Sequence, residues 1–111
     1  MSDRGDRHNV DKPAISLVLE APHAVSGIAK VLKFGTQKYE RSNWKKGLLV
    51  TEILDSMLRH QIAFMNGEDI DPESGLCHVD HISCNALFLA EMMHACPSMD
   101  DRVTQPTTDA S

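Results

Sequence analysis

Apolar positions along the chain fall into three stretches of helical spacing. In the first, Val25, Ile28, Ala29, Leu32, Gly35 and Tyr39 recur one turn apart, and Ala24 and Val31 widen the stripe. Lys30, Lys33 and Gln37 occupy the other side, and Lys38 lies at the stripe's edge. With Pro22 at the first-turn position that proline favours, this pattern predicts an amphipathic surface helix over residues 22–39. In the second stretch, Val50, Ile53, Leu54, Met57, Leu58, Phe64 and Met65 form an apolar face, and Asn66-Gly67 supplies a stop. The predicted helix covers residues 49–65. Glu52, Asp55 and Arg59 make a compact polar stripe opposite, with His60 at the boundary. In the third, Asp71-Pro72-Glu73 reads as a helix start: an Asp N-cap, a Pro at the first position and an acid in the first turn. Pro97 ends that helix near Cys96. At ~100° per residue, His78, His81 and Asn85 share one narrow arc, with Glu73 and Asp80 on a neighbouring arc. Beyond Asn85 the helix is apolar nearly all round, which predicts burial inside a bundle or between subunits.

The rest of the chain adds little regular structure. Residues 15–19 are a short apolar run whose periodicity fits either a strand or one helical turn. Residues 1–10 are polar and aperiodic and read as a mobile arm; residues 98–111 read as a disordered tail. One domain over residues 11–97 remains, with no repeat and no predicted strand, so the class is all-α. At 111 residues the chain buries only a modest core. Oligomerisation is the expected way to complete it. The net charge of −5 argues against a nucleic-acid polymer as partner. No secretory segment and no apolar run of membrane-spanning length is present, which predicts a cytoplasmic protein without a membrane partner. Cys77, Cys84 and Cys96 show no CxxC spacing and read as reduced, mostly buried thiols. Cys77, His81 and Cys84 share a face, but three ligands on one straight helix rarely converge on a zinc ion.

Three constellations carry candidate chemistry. Glu52-x-x-Asp55 is either an ion-pairing face, with Asp55 bridged to Arg59, or a pair of carboxylates for a divalent cation. His78-x-x-His81 is either a pair of satisfied core residues or a source of metal ligands and of a general base. Lys12, Lys38, Lys45 and Lys46 form either a solvated basic patch or a phosphate site, with Trp44 or Tyr39 packing on a base. No Walker loop, GxGxxG or GxSxG occurs.

Beyond these patterns, several segments stand in the order of a known family. They are Lys12-Pro13, Phe34-Gly35-Thr36-Gln37-Lys38-Tyr39, Asn43-Trp44, Leu54-Asp55-Ser56-Met57-Leu58-Arg59-His60, and GEDIDPESGL from Gly67 followed by His78, His81 and Asn85-Ala86-Leu87-Phe88-Leu89. Over roughly residues 11–92 the chain resembles the phage dATP/dGTP diphosphohydrolases, the MazG-like enzymes called MazZ. The resemblance implies an all-α, MazG-like helical bundle that cleaves a purine deoxynucleoside triphosphate to the monophosphate and pyrophosphate. It implies clustered acids on two adjacent helices holding Mg²⁺ or Mn²⁺, assembly as a homodimer or homotetramer, and service to DNA that carries 2-aminoadenine in place of adenine. A phage-encoded enzyme of this kind would work in the host cytoplasm. The chain departs from the typical EExxE and ExxD pattern: it carries Glu52-x-x-Asp55 on one helix and His78-x-x-His81 on the next, with Glu73 and Asp80 nearby.

The candidate site that follows has three parts. Glu52, Asp55, Glu73, His78, Asp80 and His81 are the expected metal ligands. Asp55, Arg59, His60 and His78 are the expected catalytic groups, and Lys12, Lys38, Tyr39, Trp44 and Asn85 the expected substrate contacts. Antiparallel packing through the connection at residues 67–72 would bring Asp55 and His78 toward one cluster, with Glu73 at its mouth. Two alternatives stay open: an HD-type dNTP triphosphohydrolase, against which stands the lack of an adjacent His-Asp pair, and a non-enzymatic helical oligomerisation module.

Overall fold

Helix α3 (His78–Ala95) is the element the others pack against: α1 (Pro22–Gly35) and α2 (Val50–Met65) both lie on it. The computed structural model describes residues 5–6 and 11–103. Short 3₁₀ turns at Ile15–Glu20, Asn43–Lys46 and Pro97–Met99 punctuate the chain, and the class is all-α. Among the described residues there is no strand, only one antiparallel bridge between Ile70 and Cys77. No helix among them is long and apolar enough to cross a membrane.

Two helix boundaries differ from the sequence expectation. Helix α1 stops at Gly35 rather than Tyr39. The Thr36 hydroxyl donates to the Lys33 carbonyl, and the following amides make mostly shorter-range turn bonds. A hydroxyl bonded back onto the last turn competes with the regular ladder. Helix α3 begins at His78, not Pro72. Asp71 does accept from the Glu73 N–H, as an N-cap would. That bond closes an Asx turn instead, and Gly75 then takes a φ of 72°, which ends any helical run. The chain doubles back through Asp71 N–H to Leu76 O and His78 N–H to Asp69 O. Helix α2 runs to Met65 and stops where Asn66-Gly67 predicts. Gly67 has a φ of 93°, and the Glu68 and Gly67 amides cap the Ala63 and Phe64 carbonyls.

The core is small. Val50, Ile53, Cys84 and Met92 are its buried apolar side chains, and His78, His81 and Asn85 are buried beside them. Each buried Val, Ile or Met stabilises by about 1.5–3 kcal/mol, so so short a set leaves the domain dependent on its polar bonds. Within one chain the apolar surface of α3 beyond Asn85 is not fully covered: Leu87 and Met93 each stay 37% exposed. The reason is geometric: among the described residues α1 and α2 are the two long helices that flank it, and the turn at Pro97–Met99 touches it as well. The ambiguous run at residues 15–19 is a 3₁₀ turn whose Ile15 is 81% exposed.

The start of the expected tail is ordered. Pro97–Met99 turns the chain back, and Asp101 accepts bonds from the Thr51 N–H and hydroxyl. Asp101 thereby caps α2, whose own N-cap residue, Leu49, has no side-chain acceptor. Residues 104–111 and most of the expected arm, residues 1–4 and 7–10, lie outside the described residues; Gly5 and Asp6 are exposed.

Candidate functional site

The loop that doubles back before α3 carries its acids onto the histidines. Asp71 Oδ2 lies 3.6 Å from His81 Nε2. Ser74 Oγ, which accepts from the Leu76 N–H, is 2.7 Å from the same nitrogen. On the α2 side, the His60 ring stacks on His81 with centroids 4.3 Å apart and planes 3° from parallel. Ligand-competent atoms of His60, Asp71 and His81 all fall within 4.8 Å of one another. This trio is the group of potential metal ligands among the described residues.

His78 lies behind that trio. Its Nε2 is 2.7 Å from Glu68 Oε1 and its Nδ1 is 2.9 Å from His60 Nδ1. With both ring nitrogens engaged and only 3% of its surface exposed, His78 is not available as a ligand in this arrangement. It sits in the core, not on an open polar arc. The other expected ligands are spread out. Glu73 is exposed and accepts a 2.9 Å bond from Lys38 Nζ. Asp80 packs against Gly27 of α1, where a methyl group would overlap its carboxylate. Glu52, Asp55 and Arg59 are exposed on α2. They are not brought to the trio because the residues of α2 that meet α3 lie on its other faces: Ser56 accepts from Asn85 Nδ2 and His60 meets His78.

A cleft of about 1150 Å³ opens beside the trio. Four of the five expected substrate contacts line it: Lys38, Tyr39, Trp44 and Asn85. Lys33, Arg41 and Lys45 add positive charge; Phe34, Leu32 and Phe88 supply apolar wall. Trp44 packs on Phe88 with centroids 4.8 Å apart, and Lys38 Nζ stands 5.4 Å from the Phe34 ring centroid. Lys12 is exposed and not part of the lining. His81 belongs to both features: it lines the cleft and is one of the trio.

The electrostatics follow from burial. Desolvation pushes His60 below the usual imidazole range, and His81⁺ and His78⁺ would repel its charge while Asp71 attracts it. Desolvation lowers His81 too, against the pull of Asp71. Both rings are therefore held neutral, each with a lone pair on one nitrogen. Glu73 raises Lys38 by its hydrogen bond and charge, so that amine stays cationic. Burial pushes the Cys84 thiol up to about 11, which leaves it an inert filler of the core.

Asp71, Glu68 and Ser74 are the partners of the buried histidines that helical spacing misses. Asp71 reads as an N-cap because an N-cap and an Asx turn use the same carboxylate on the same i+2 amide. The signal against a helix is Gly75, four residues past Asp71, since glycine is unfavourable inside a helix.

Comparison with known proteins bears on this arrangement. Residues 2–102 match the family model described as dATP/dGTP diphosphohydrolase, N-terminal. A protein of Salmonella phage PMBT28 named dATP/dGTP diphosphohydrolase is 34% identical over 98 residues, which are 88% of this chain and 33% of the relative. The chain thus spans about a third of the length of the curated relative it matches. No solved structure matches it.

Proposed function

This chain belongs to the dATP/dGTP diphosphohydrolase family, whose N-terminal model it matches, and on that premise we propose that it acts in metal-dependent hydrolysis of a purine deoxynucleoside triphosphate to the monophosphate and pyrophosphate. The observation that carries this reading is His81, shared between a two-histidine, one-carboxylate trio and a cationic, aromatic-walled cleft. The trio fits a divalent cation: two neutral imidazoles and a carboxylate are a mixed nitrogen and oxygen donor set. Such a set suits Mn²⁺ better than Mg²⁺, which favours all-oxygen surroundings. His60, Asp71 and His81 would hold the ion. Bound there, it would lower the pKa of a water nucleophile and offset phosphate charge.

The chain's own residues do the rest. Lys33, Lys38, Arg41 and Lys45 gather the anionic triphosphate at the cleft's rim. Tyr39 and Trp44 offer flat faces for a purine, and the buried Asn85, already oriented by Ser56, presents an amide inside the cleft. In a phage whose DNA carries 2-aminoadenine, this reaction removes dATP or supplies dGMP, in the cytoplasm of the host cell. Leu58, Ile62 and Met65 on α2 and Leu87 and Met93 on α3 remain exposed. That surface supports assembly as a homodimer or homotetramer, and a monodisperse monomer by light scattering at micromolar concentration would refute it.

The deciding experiment incubates the purified chain with each dNTP and either Mg²⁺ or Mn²⁺ and separates the products by chromatography. Deoxynucleoside monophosphate with pyrophosphate is expected. Nucleoside with triphosphate would indicate the HD-type reaction, and no metal-dependent turnover of any dNTP would leave a non-enzymatic helical module.

A further inference from the structure

Behind the trio, three side chains are joined in series. Glu68 Oε1 meets His78 Nε2 at 2.7 Å, and His78 Nδ1 meets His60 Nδ1 at 2.9 Å. A carboxylate only accepts, so the His78 proton on this side sits on Nε2. A neutral His78 then has its lone pair on Nδ1. The contact with His60 needs one donor, so His60 carries its proton on Nδ1 and its lone pair on Nε2. The position of one carboxylate thus determines the tautomer of a ring two hydrogen bonds away. The three residues come from different places: Glu68 from the loop after α2, His78 from the first turn of α3, and His60 from the second-last turn of α2.

We propose that Glu68 and His78 are positioning residues that hold His60 in its Nδ1–H tautomer and so leave Nε2 free to bind a divalent cation with Asp71 and His81. This rests on the reading of the trio as a metal site. The arrangement is the one expected of a ligating histidine, whose other ring nitrogen is engaged by a hydrogen-bonded partner that orients the ring and raises its basicity. Here the partner is itself a histidine, backed by a carboxylate. The relay is also economical in structure: His78 is 3% exposed, so its two bonds satisfy both polar atoms of a buried ring. Glu68 keeps half of its side-chain surface exposed, so removing it leaves the core packing intact.

Two measurements on the full chain test this. Long-range ¹H–¹⁵N correlation spectra of the metal-free, histidine-labelled protein report which ring nitrogens carry protons. The expected pattern is Nδ1–H on His60 and Nε2–H on His78, with the His60 pattern lost in Glu68→Ala. Titration calorimetry with Mn²⁺ alone then compares wild type with Glu68→Ala, whose affinity is expected to fall about 10–100-fold, with circular dichroism unchanged. An Nε2–H tautomer on wild-type His60 overturns the relay whatever the metal does. Equal Mn²⁺ affinity in the two proteins overturns the positioning role. A wild-type chain that binds no Mn²⁺ overturns the metal reading itself, and the proposal with it.

Discussion

Helices α2 and α3 each carry a polar stripe at helical spacing, and the fold treats them oppositely. Glu52, Asp55 and Arg59 on α2 stay exposed, while His78, His81 and Asn85 on α3 are buried. Amphipathicity alone would turn both stripes to water. The difference lies in position. Helix α3 is flanked by two helices and a folded-back loop, so its polar arc meets His60, Ser56, Ser74 and Glu68. Every buried side-chain nitrogen and oxygen among the described residues finds a partner. Helix α2 has one flank free, and its carboxylates stay in water at little cost. A polar stripe thus marks a site only when neighbouring elements bring complementary groups to it.

The sharpest break of this comparison is catalytic. With dGTP or dATP at saturating Mn²⁺, His81→Ala and Asp71→Asn should each lower kcat at least ~100-fold, the size expected when a metal or electrostatic contribution of several kcal/mol is lost. Asp55→Asn should stay near wild type. If the ranking reverses in steady-state kinetics with folded proteins, the metal centre belongs on the α2 stripe.

Stability separates the stripes next. His78→Ala removes a buried ring with two bonds, and urea unfolding at neutral pH should show a loss of about 2–4 kcal/mol. Asp55→Ala should change stability by no more than about 0.5 kcal/mol. Equal effects would mean that the α2 stripe is covered in solution, as a subunit interface would cover it.

A smaller effect is expected at the cleft rim. Lys38→Ala should raise KM several-fold and leave kcat little changed, because a cation that binds ground state and transition state alike contributes uniform binding. A fall in kcat at constant KM would instead place Lys38 at the reacting phosphate.

The smallest effect concerns the far end of α2. The Thr51 hydroxyl and N–H hold the Asp101 carboxyl below its ordinary value of 3.8. Its folded pKa is below its unfolded one, so its contribution is complete above the unfolded value and disappears as pH falls through the folded value. Asp101→Ala should therefore lower Tm slightly near neutral pH, and the gap from wild type should close as the solution is acidified. A gap independent of pH in thermal melts would remove the charge from the explanation.

Much of the helical frame was legible beforehand, because it rests on local chemistry. Pro22 starts α1 and Asn66-Gly67 stops α2 wherever those helices pack. The boundary of α3 was not, since Asp71 presents the same carboxylate to an N-cap and to an Asx turn. The cleft lining was more legible than the trio of His60, Asp71 and His81. Lys38, Tyr39 and Trp44 are near neighbours in the chain and remain so in the cleft. The trio draws on α2, the loop and α3, and spacing within one helix carries no information about that meeting.

By itself the sequence determined the helical class and the side chains that are candidates for metal and phosphate, from residue type and short-range spacing, and the family, from its resemblance to known members. Tertiary structure decided which of those residues meet. It sent Asp80 to Gly27 of α1 and Glu73 to Lys38, and brought Asp71 to His81. It also capped α2 with Asp101, fifty positions away from Thr51. The physical reason is that a polar group's fate depends on which partners stand within about 3 Å of it, and those partners come from segments whose proximity is set by packing rather than by order along the chain.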